Sequence, residues 1–474
     1  MTATRRTLLQ RGSLLAAAAA WPHWMPRMVF RQAGAEPVGD TLVCVFARGG
    51  YDGLNMIIPL LDEANYYRLR PTIGIPAPDS SAARKAVALN DDFAMHPTLA
   101  ENGWKDWFDA GILGMVHAMH MDDPTRSHFA AMDYMERGTP GSKSERRGWL
   151  GRHLQTMATQ NESPFRGVGM GTMLQASLRG PVPAVTLQSI AEFHLQGRQA
   201  EIARFQQHLQ DLYGGDEWLE GEGQSTFAAI EMLEQSVGGG TYVPENGADY
   251  SPGGAFGEGL KQVAQLVKSD VGLEVACIDN GGWDTHANEV DRDDPTTGNL
   301  ATLMARLSSG ITAFVKDLGD RFDPTDTTHR GVTLVVMSEF GRRAFENGGV
   351  GTDHGHGNVM YLFGKGINGG TVYTNPWPGL NDEQLDRGDL AGTTEYRDIL
   401  GEIVEKRLGN TALDQVFPNF AFNYLGLAKP LDVTVPTATV TGGTPVVTPT
   451  SETPGTPTPP VDLVGELHLP WAGK

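Results

Sequence analysis

The fold of this chain is constrained most strongly by a set of polar residues that directly follow strand-like runs. Residues 332–337 form an apolar, β-branched run with the length of a buried strand. Glu339 comes shortly after it, and a glycine-rich loop then leads to Asp353, His354 and His356. In open α/β sheets, functional groups lie beyond the carboxyl ends of the strands. The pattern therefore predicts a metal or catalytic site there. The alternative is that Glu339 pairs with a nearby arginine and that the histidines are ordinary loop residues.

Two further strand-like runs lead into acidic residues. Residues 41–46 precede Asp52 in a glycine-rich turn, where glycine allows the backbone to approach a ligand closely. Residues 274–278 precede Asp284 and His286, which are two positions apart, so an extended backbone places both on one side. This spacing suits one shared metal ion, although aspartate is also frequent in turns that bind nothing.

Alternating strands and helices predict the fold class. The longest helical pattern has an apolar face made of Leu303, Leu307, Ile311, Phe314 and Leu318. The alternation predicts an α/β protein with a mostly parallel central sheet flanked by helices. Residues 148–272 are less regular. We expect them to form a cap or insertion over the site, with helices at 197–212, 224–236 and 256–268.

Charge and cysteine content argue against several classes of protein. The 474 residues carry a net charge of -20, which disfavours nucleic acid and anionic membranes as main partners. Cys44 and Cys277 both lie in strand-like runs, and no CxxC motif is present to bind zinc through thiolates. We expect two buried thiols, with a disulfide between them as the alternative in an oxidising compartment.

Both ends of the chain differ in composition from its middle. Residues 1–35 combine paired arginines, a short apolar segment and an Ala-Gly-Ala sequence, and so resemble a twin-arginine signal peptide. They predict export by the twin-arginine translocase to the periplasm or the cell exterior. Residues 36–430 form the expected metal-binding domain, and residues 431–474 a tail rich in Pro and Thr that suits an extended spacer. No integral membrane segment is expected in the mature chain.

A polar turn after the run at residues 112–117 offers two hydroxyl groups. Thr125 and Ser127 precede a predicted helix, in positions where N-caps occur. A hydroxyl at a helix N-terminus is also well placed for phosphoryl chemistry, because the free N–H groups there favour anions. The two interpretations remain open at this point.

Four short motifs carry a family resemblance. They lie at residues 46–55, 126–129, 283–286 and 338–342. Together they resemble the family of exported bacterial proteins known as domain of unknown function 1501, over roughly residues 40–428. That family is similar to the alkaline phosphatase and sulfatase superfamily. The resemblance implies an alkaline phosphatase-like fold, a binuclear metal centre and the hydrolysis of phosphate or sulfate esters. It also implies that Asp52 and Glu339 occupy ligand positions of the superfamily.

Candidate metal ligands are the acids and histidines that follow the strands: Asp52, Asp284, His286, Glu339, Asp353, His354 and His356. Oxygen and nitrogen ligands without sulfur suit one or two divalent ions, whether zinc, manganese, magnesium or calcium. Phe340 stands where the superfamily has a histidine, and a phenyl ring has no lone pair to donate. A second ion would therefore need Asp353 or another imidazole.

The resemblance also bears on the reacting groups. Asp122 occupies the position of the sulfatase cysteine, so formylglycine chemistry is not available there. Ser127 or Thr125 is the candidate nucleophile, and Arg126 or Arg342 would bind the anion of a small anionic or glycan ester. The alternatives are a non-catalytic metal-binding or scaffold protein on the same fold, and a protein that binds an acidic glycan.

Overall fold

Apolar runs of the sequence become the central strands of the computed structural model. The structure describes residues 37–157, 161–190, 232–233 and 242–431. The strands within these ranges are β1 Thr41–Arg48, β2 Ile57–Pro59, β3 Val87–Ala88, β4 Phe93–Met95, β5 Leu113–His120, β6 Gly167–Met170, β7 Ala184–Leu187, β8 Val275–Gly281, β9 Val332–Met337, β10 Asn358–Gly364, β11 Val372–Tyr373 and β12 Thr394–Glu395. The α-helices are α1 Gly53–Met56, α2 Glu63–Leu69, α3 Pro97–Glu101, α4 Trp104–Asp109, α5 His128–Arg137, α6 Trp149–Thr156, α7 Gly254–Lys268, α8 Asn299–Leu318, α9 Tyr396–Lys406 and α10 Leu413–Val416.

A nine-stranded sheet forms the centre of the described structure. Its order is β11-β5-β10-β9-β1-β8-β6-β7, and β12 also pairs with β5, while β2, β4 and β3 form a small separate sheet. Strand β1 runs parallel to β8 and β9. Within the described part of the sheet only β10 is antiparallel to its neighbours, β9 and β5. The prediction of an α/β fold with a mostly parallel central sheet flanked by helices is confirmed.

Side chains of β1 alternate between two apolar layers. Val43 and Val45 pack in the same core cluster as the apolar face of α8. Leu42 and Cys44 point to the opposite face, in the cluster that contains Ile399 and other residues of α9. Because both faces of the sheet are covered, the central strands are apolar throughout rather than alternately polar and apolar.

The described parts of residues 148–272 add two strands to the central sheet. Strand β6 pairs in parallel with β8, and β7 continues the sheet beyond it. The Arg166–Glu274 ion pair, at 2.8 Å, joins the start of β6 to the start of β8. The predicted helix at 256–268 corresponds to α7, which packs in the same cluster as α8. The predicted helices at 197–212 and 224–236 lie outside the described residues, apart from 232–233.

Cys44 and Cys277 face each other across β1 and β8, in register. Both thiols are buried and free, as expected, and burial raises the pKa of Cys44. The predicted signal peptide and C-terminal tail lie outside the described residues and stay predictions. Among the helices that the structure describes, none is long and apolar enough to cross a membrane.

One edge of the sheet collects the loops that carry the candidate site. Strands β1, β5, β8 and β9 all end there, and the antiparallel β10 begins there. Two glycines after β1 allow these loops to pack closely. Gly49 has a φ of +126°, and a Cβ on it would lie 2.5 Å from the backbone nitrogen of Asp284. A larger residue at this position would push the loop after β8 away from the edge.

Packing of α8 against the sheet gives the first testable prediction. Ile311 is fully buried, so Ile311→Ala should lower the free energy of unfolding by about 2–5 kcal/mol, through lost apolar burial and the cavity left behind. Arg306→Ala, at an exposed position of the same helix, should change it by less than about 0.5 kcal/mol. Chemical denaturation measures both, and equal losses would contradict this account of the core.

Candidate metal centre

Three imidazoles and one carboxylate meet at the carboxyl edge of the sheet. Asp284 and His286 follow β8, His354 precedes β10, and His128 begins α5. Oδ1 of Asp284 lies 3.0 Å from Nε2 of His286, 3.1 Å from Nε2 of His354 and 3.3 Å from Nε2 of His128. Nε2 of His354 lies 2.9 Å from each of the other two Nε2 atoms. The four atoms thus form two triangles that share Asp284 and His354.

Glu339 determines which nitrogen of His128 faces the centre. Nδ1 of His128 donates to Oε1 of Glu339 over 2.7 Å. The other bonds of this buried carboxylate come from the Gly49 N–H and the Ser338 hydroxyl, each at 2.9 Å. The hydrogen bond to Glu339 raises the pKa of His128. With its proton on Nδ1, neutral His128 presents the Nε2 lone pair to Asp284.

The other two imidazoles are oriented in the same way. Nδ1 of His286 donates to Oδ1 of Asp353 at 3.1 Å, and Nδ1 of His354 donates to the backbone carbonyl of Arg126 at 2.9 Å. Metal-binding histidines show this pattern, in which one ring nitrogen donates to a carboxylate or carbonyl while the other points at the ion.

A bound metal ion explains the arrangement of these four side chains better than hydrogen bonds among them. If both imidazoles are neutral and protonated on Nδ1, the Nε2 lone pairs of His128 and His354 lie 2.9 Å apart. Two lone pairs at this distance repel each other unless a cation or a proton lies between them. Burial lowers the pKa of His354 and so disfavours an extra proton on it. Ligand atoms of His128, Asp284 and His354 all lie within 4.8 Å of one another. These residues can hold a divalent ion.

Arg342 supports the group from inside the protein. This fully buried guanidinium donates to Oδ1 of Asp284 at 2.9 Å and to the backbone carbonyls of Gly49, Gly50, Trp283 and Thr352. Partial burial raises the pKa of Asp284, but the neighbouring His354 and the Arg342 guanidinium outweigh it and lower the pKa to about 2. Arg342 therefore orients the carboxylate. Its donors already have protein acceptors, so the structure does not place it where it could bind a substrate anion.

Sequence reasoning missed His128 as a ligand. Glu339 and Asp353 are candidate ligands, but in the structure each accepts a hydrogen bond from the Nδ1 atom of a histidine at the centre, His128 and His286 respectively. Both carboxylates therefore lie behind these rings. Phe340 packs against the rings of His128 and His354, with centroids 4.8 and 5.0 Å away. His128 lies in the Arg-Ser-His-Phe motif, which could have marked it as a candidate. It is, however, 211 residues from Glu339, and no local sequence pattern connects two residues so far apart.

Asp52, although a candidate ligand, is not among the four side chains that meet at the centre. Its carboxylate accepts two hydrogen bonds from Arg70, one of them at 2.9 Å, and both side chains are almost completely buried. A buried guanidinium needs a carboxylate partner, and Asp52 provides it. Glu289, also fully buried, lies beside this pair and accepts from the Thr352 hydroxyl at 2.7 Å.

His356, the alternative to His354, belongs to a second pair of imidazoles. Its Nε2 lies 3.1 Å from Nδ1 of His120, and burial lowers the pKa of His356 to about 4. Of the two histidines in this loop, His354 is therefore the one that joins Asp284 at the centre.

The candidate hydroxyls lie at the start of α5, beside His128. Ser127 occupies the N-cap position and is exposed, and its side chain makes no capping hydrogen bond. Oγ1 of Thr125 accepts from the Ser127 N–H at 3.3 Å. Arg126 forms an ion pair with Asp389 and remains about one third exposed.

Comparison with known proteins gives one family match. The model of the family described as protein of unknown function (DUF1501) matches residues 40–394. No curated protein matches the chain. Among solved structures, the PH0037 protein from Pyrococcus horikoshii is 13% identical, covering 81% of this chain and 99% of its own, with a TM-score of 0.28. Ps i-CgsB in complex with k-i-k-neocarrahexaose is 12% identical, covering 78% of each chain, with a TM-score of 0.30.

Metal content should depend on His128 and not on His356. After dialysis we expect about one tightly held divalent ion per chain by elemental analysis. His128→Ala should lose most of it, and Glu339→Gln should weaken zinc binding by roughly 10–100-fold, because the ring loses its orientation. His356→Ala is the matched control and should keep the ion. Loss of the ion in His356→Ala but not in His128→Ala would refute this ligand assignment.

Glu289 should make stability depend on pH. Burial and the neighbouring Asp52 carboxylate raise its pKa well above the ordinary value of 4.5. Above pH 4.5 the unfolded chain releases this proton while the folded protein keeps it, so stability falls as the pH rises toward the folded pKa. Glu289→Gln stays neutral, and we expect it to be more stable than the natural protein at pH 8, by roughly 1 kcal/mol or more, but not at pH 4.5.

Thermal or chemical unfolding at both pH values tests this expectation. Glu258→Gln, at an exposed position, serves as the control and should show no such difference. A deficit for Glu289→Gln that is the same at both pH values would mean that Glu289 is not protonated in the folded protein.

Proposed function

This chain belongs to the DUF1501 family of proteins of unknown function, and from that premise we propose that it is an exported, metal-dependent hydrolase of phosphate or sulfate esters. One observation carries the proposal. Three imidazoles, each with its Nδ1 donating outward, present Nε2 to a single carboxylate at the carboxyl edge of the sheet. Export rests on the sequence of residues 1–35 alone.

We assign the ion to His128, Asp284 and His354, with His286 on the same carboxylate. A bound divalent ion supplies Lewis-acid chemistry, since it stabilises negative charge on the ester oxygens and lowers the pKa of a nearby hydroxyl. Glu339, Asp353 and Arg342 keep the ligands in position through the hydrogen bonds described above.

Ser127 is the proposed nucleophile, and Thr125 is the alternative. The Ser127 hydroxyl is exposed, precedes the ligand His128 and makes no capping bond that would have to break. In the reaction, Oγ of Ser127 would attack phosphorus or sulfur, the bond from that atom to the ester oxygen would break, and the hydroxyl proton would leave with the alcohol. Water would then attack the same phosphorus or sulfur, which would release phosphate or sulfate and restore the Ser127 hydroxyl. The free N–H groups of the first turn of α5 favour an anion at this position.

One observation favours a second candidate, a non-catalytic metal-binding protein on the same fold. Asp52 and Glu339, which align with superfamily ligand positions, bond to Arg70 and His128 instead. Phe340 replaces a histidine of the superfamily pattern. Fewer ligands are therefore left for a second ion, which hydrolases of the superfamily use.

Substitutions at Ser127 and Asp284 separate the two candidates. With zinc or manganese present, we expect the protein to hydrolyse 4-nitrophenyl phosphate or 4-nitrophenyl sulfate. Asp284→Asn should lose both the metal and the activity. Ser127→Ala should lose roughly a thousandfold or more of the turnover while keeping the metal and the fold. Ser144→Ala, an exposed serine elsewhere, is the control.

Full activity in Ser127→Ala would show that Ser127 is not the nucleophile, and Thr125→Ala would then be measured in the same way. A metal-loaded protein that hydrolyses neither ester would overturn the hydrolase proposal and leave the metal-binding alternative.

A further inference from the structure

Arg126 and Arg343, whose backbone adjoins the metal centre, share one carboxylate. Nη2 of Arg126 lies 2.5 Å from Oδ2 of Asp389, and Nε of Arg343 lies 3.5 Å from Oδ1 of the same carboxylate. Asp389 is almost completely buried, so it acts as a fixed anchor between the two guanidinium groups. Asp389 alone cannot neutralise both guanidinium groups.

A third arginine extends this cluster into solvent. Nη1 of Arg343 donates to the carbonyl of Arg387 at 2.6 Å. The Arg387 side chain is 66% exposed, and its Nε lies 3.2 Å from Oδ1 of Asp386. We call Arg126, Arg343 and Arg387, with Asp386 and Asp389, the arginine rim. Three guanidinium groups share these two carboxylates, and Arg343 also interacts electrostatically with Asp353.

The arginine rim adjoins the metal centre through backbone hydrogen bonds. The carbonyl of Arg126 accepts from Nδ1 of His354 at 2.9 Å. The N–H of Arg343 donates to the carbonyl of Asp353, whose side chain orients His286. An ester whose reacting group reached the metal centre would therefore have the arginine rim next to it.

Two exposed aromatic residues lie close in sequence to arginines of the rim. Phe129 follows the ligand His128 and is 91% exposed, which is unusual for a phenylalanine next to a candidate ligand. Phe345 is 39% exposed, and the Arg343 guanidinium lies 5.3 Å from its ring centroid. Rings in these positions can pack on the face of a ring in the substrate, while guanidinium groups bind phosphate or sulfate through paired hydrogen bonds.

We propose that the arginine rim is a second anion subsite, which selects ring-containing substrates that carry another phosphate or sulfate group besides the one at the metal centre. The inference rests on the proposed function. The Arg387 guanidinium, whose side chain is 66% exposed, can bind one additional anionic group. A long polyanion is disfavoured, because the chain as a whole carries a net charge of -20.

Binding of sugar phosphates tests the subsite without requiring turnover. In the metal-loaded protein, glucose 1,6-bisphosphate should bind about tenfold more tightly than glucose 6-phosphate by calorimetry, the effect of one additional charge-assisted contact. In Arg387→Gln the two ligands should bind with nearly equal affinity. The matched control is Arg68→Gln, which removes an arginine that is 45% exposed and paired with Asp382 on the surface, and it should keep the preference.

Two results would overturn the subsite: equal binding of the two sugar phosphates by the natural protein, or an unchanged preference in Arg387→Gln. Failure of the hydrolase proposal looks different. In that case the preference for the bisphosphate persists while the ester assay shows no turnover.

Discussion

A single buried guanidinium unites the loops on which the candidate site depends. Arg342 donates to backbone carbonyls in the loop after β1, the loop after β8 and the segment before β10, and also to the carboxylate of Asp284. Its side chain has no exposed surface, so each of these bonds forms away from water, where a lost partner is costly. The relative position of the three loops, and hence of the imidazoles they carry, follows from this residue.

Carboxylates around the centre divide into three roles. Asp284 faces the imidazoles, Glu339 and Asp353 orient them from behind, and Asp52 neutralises Arg70. This division explains how so many acids can lie near one edge of a sheet without strong mutual repulsion, because most are matched to a specific donor.

Much of the fold was predictable, because it depends on local sequence patterns. The apolar runs at 41–46, 274–278 and 332–337 lie in β1, β8 and β9, and the long amphipathic pattern is α8. The antiparallel direction of β10 was not predictable, and neither was the use of residues 167–170 and 184–187 to extend the sheet. Strand direction and order depend on pairing between distant segments, which leaves little local trace.

By itself, the sequence determined that acids and histidines follow the strands of an α/β sheet, since strand periodicity and residue type are local properties. It also placed Asp284, His286 and His354 among the candidates. Only the tertiary structure decided that His128 joins them, that Glu339 supports His128, and that Asp52 belongs to Arg70. These pairings depend on which side chains meet after the sheet has assembled. A carboxylate has the same sequence signature whether it faces a metal ion, a histidine or a buried arginine.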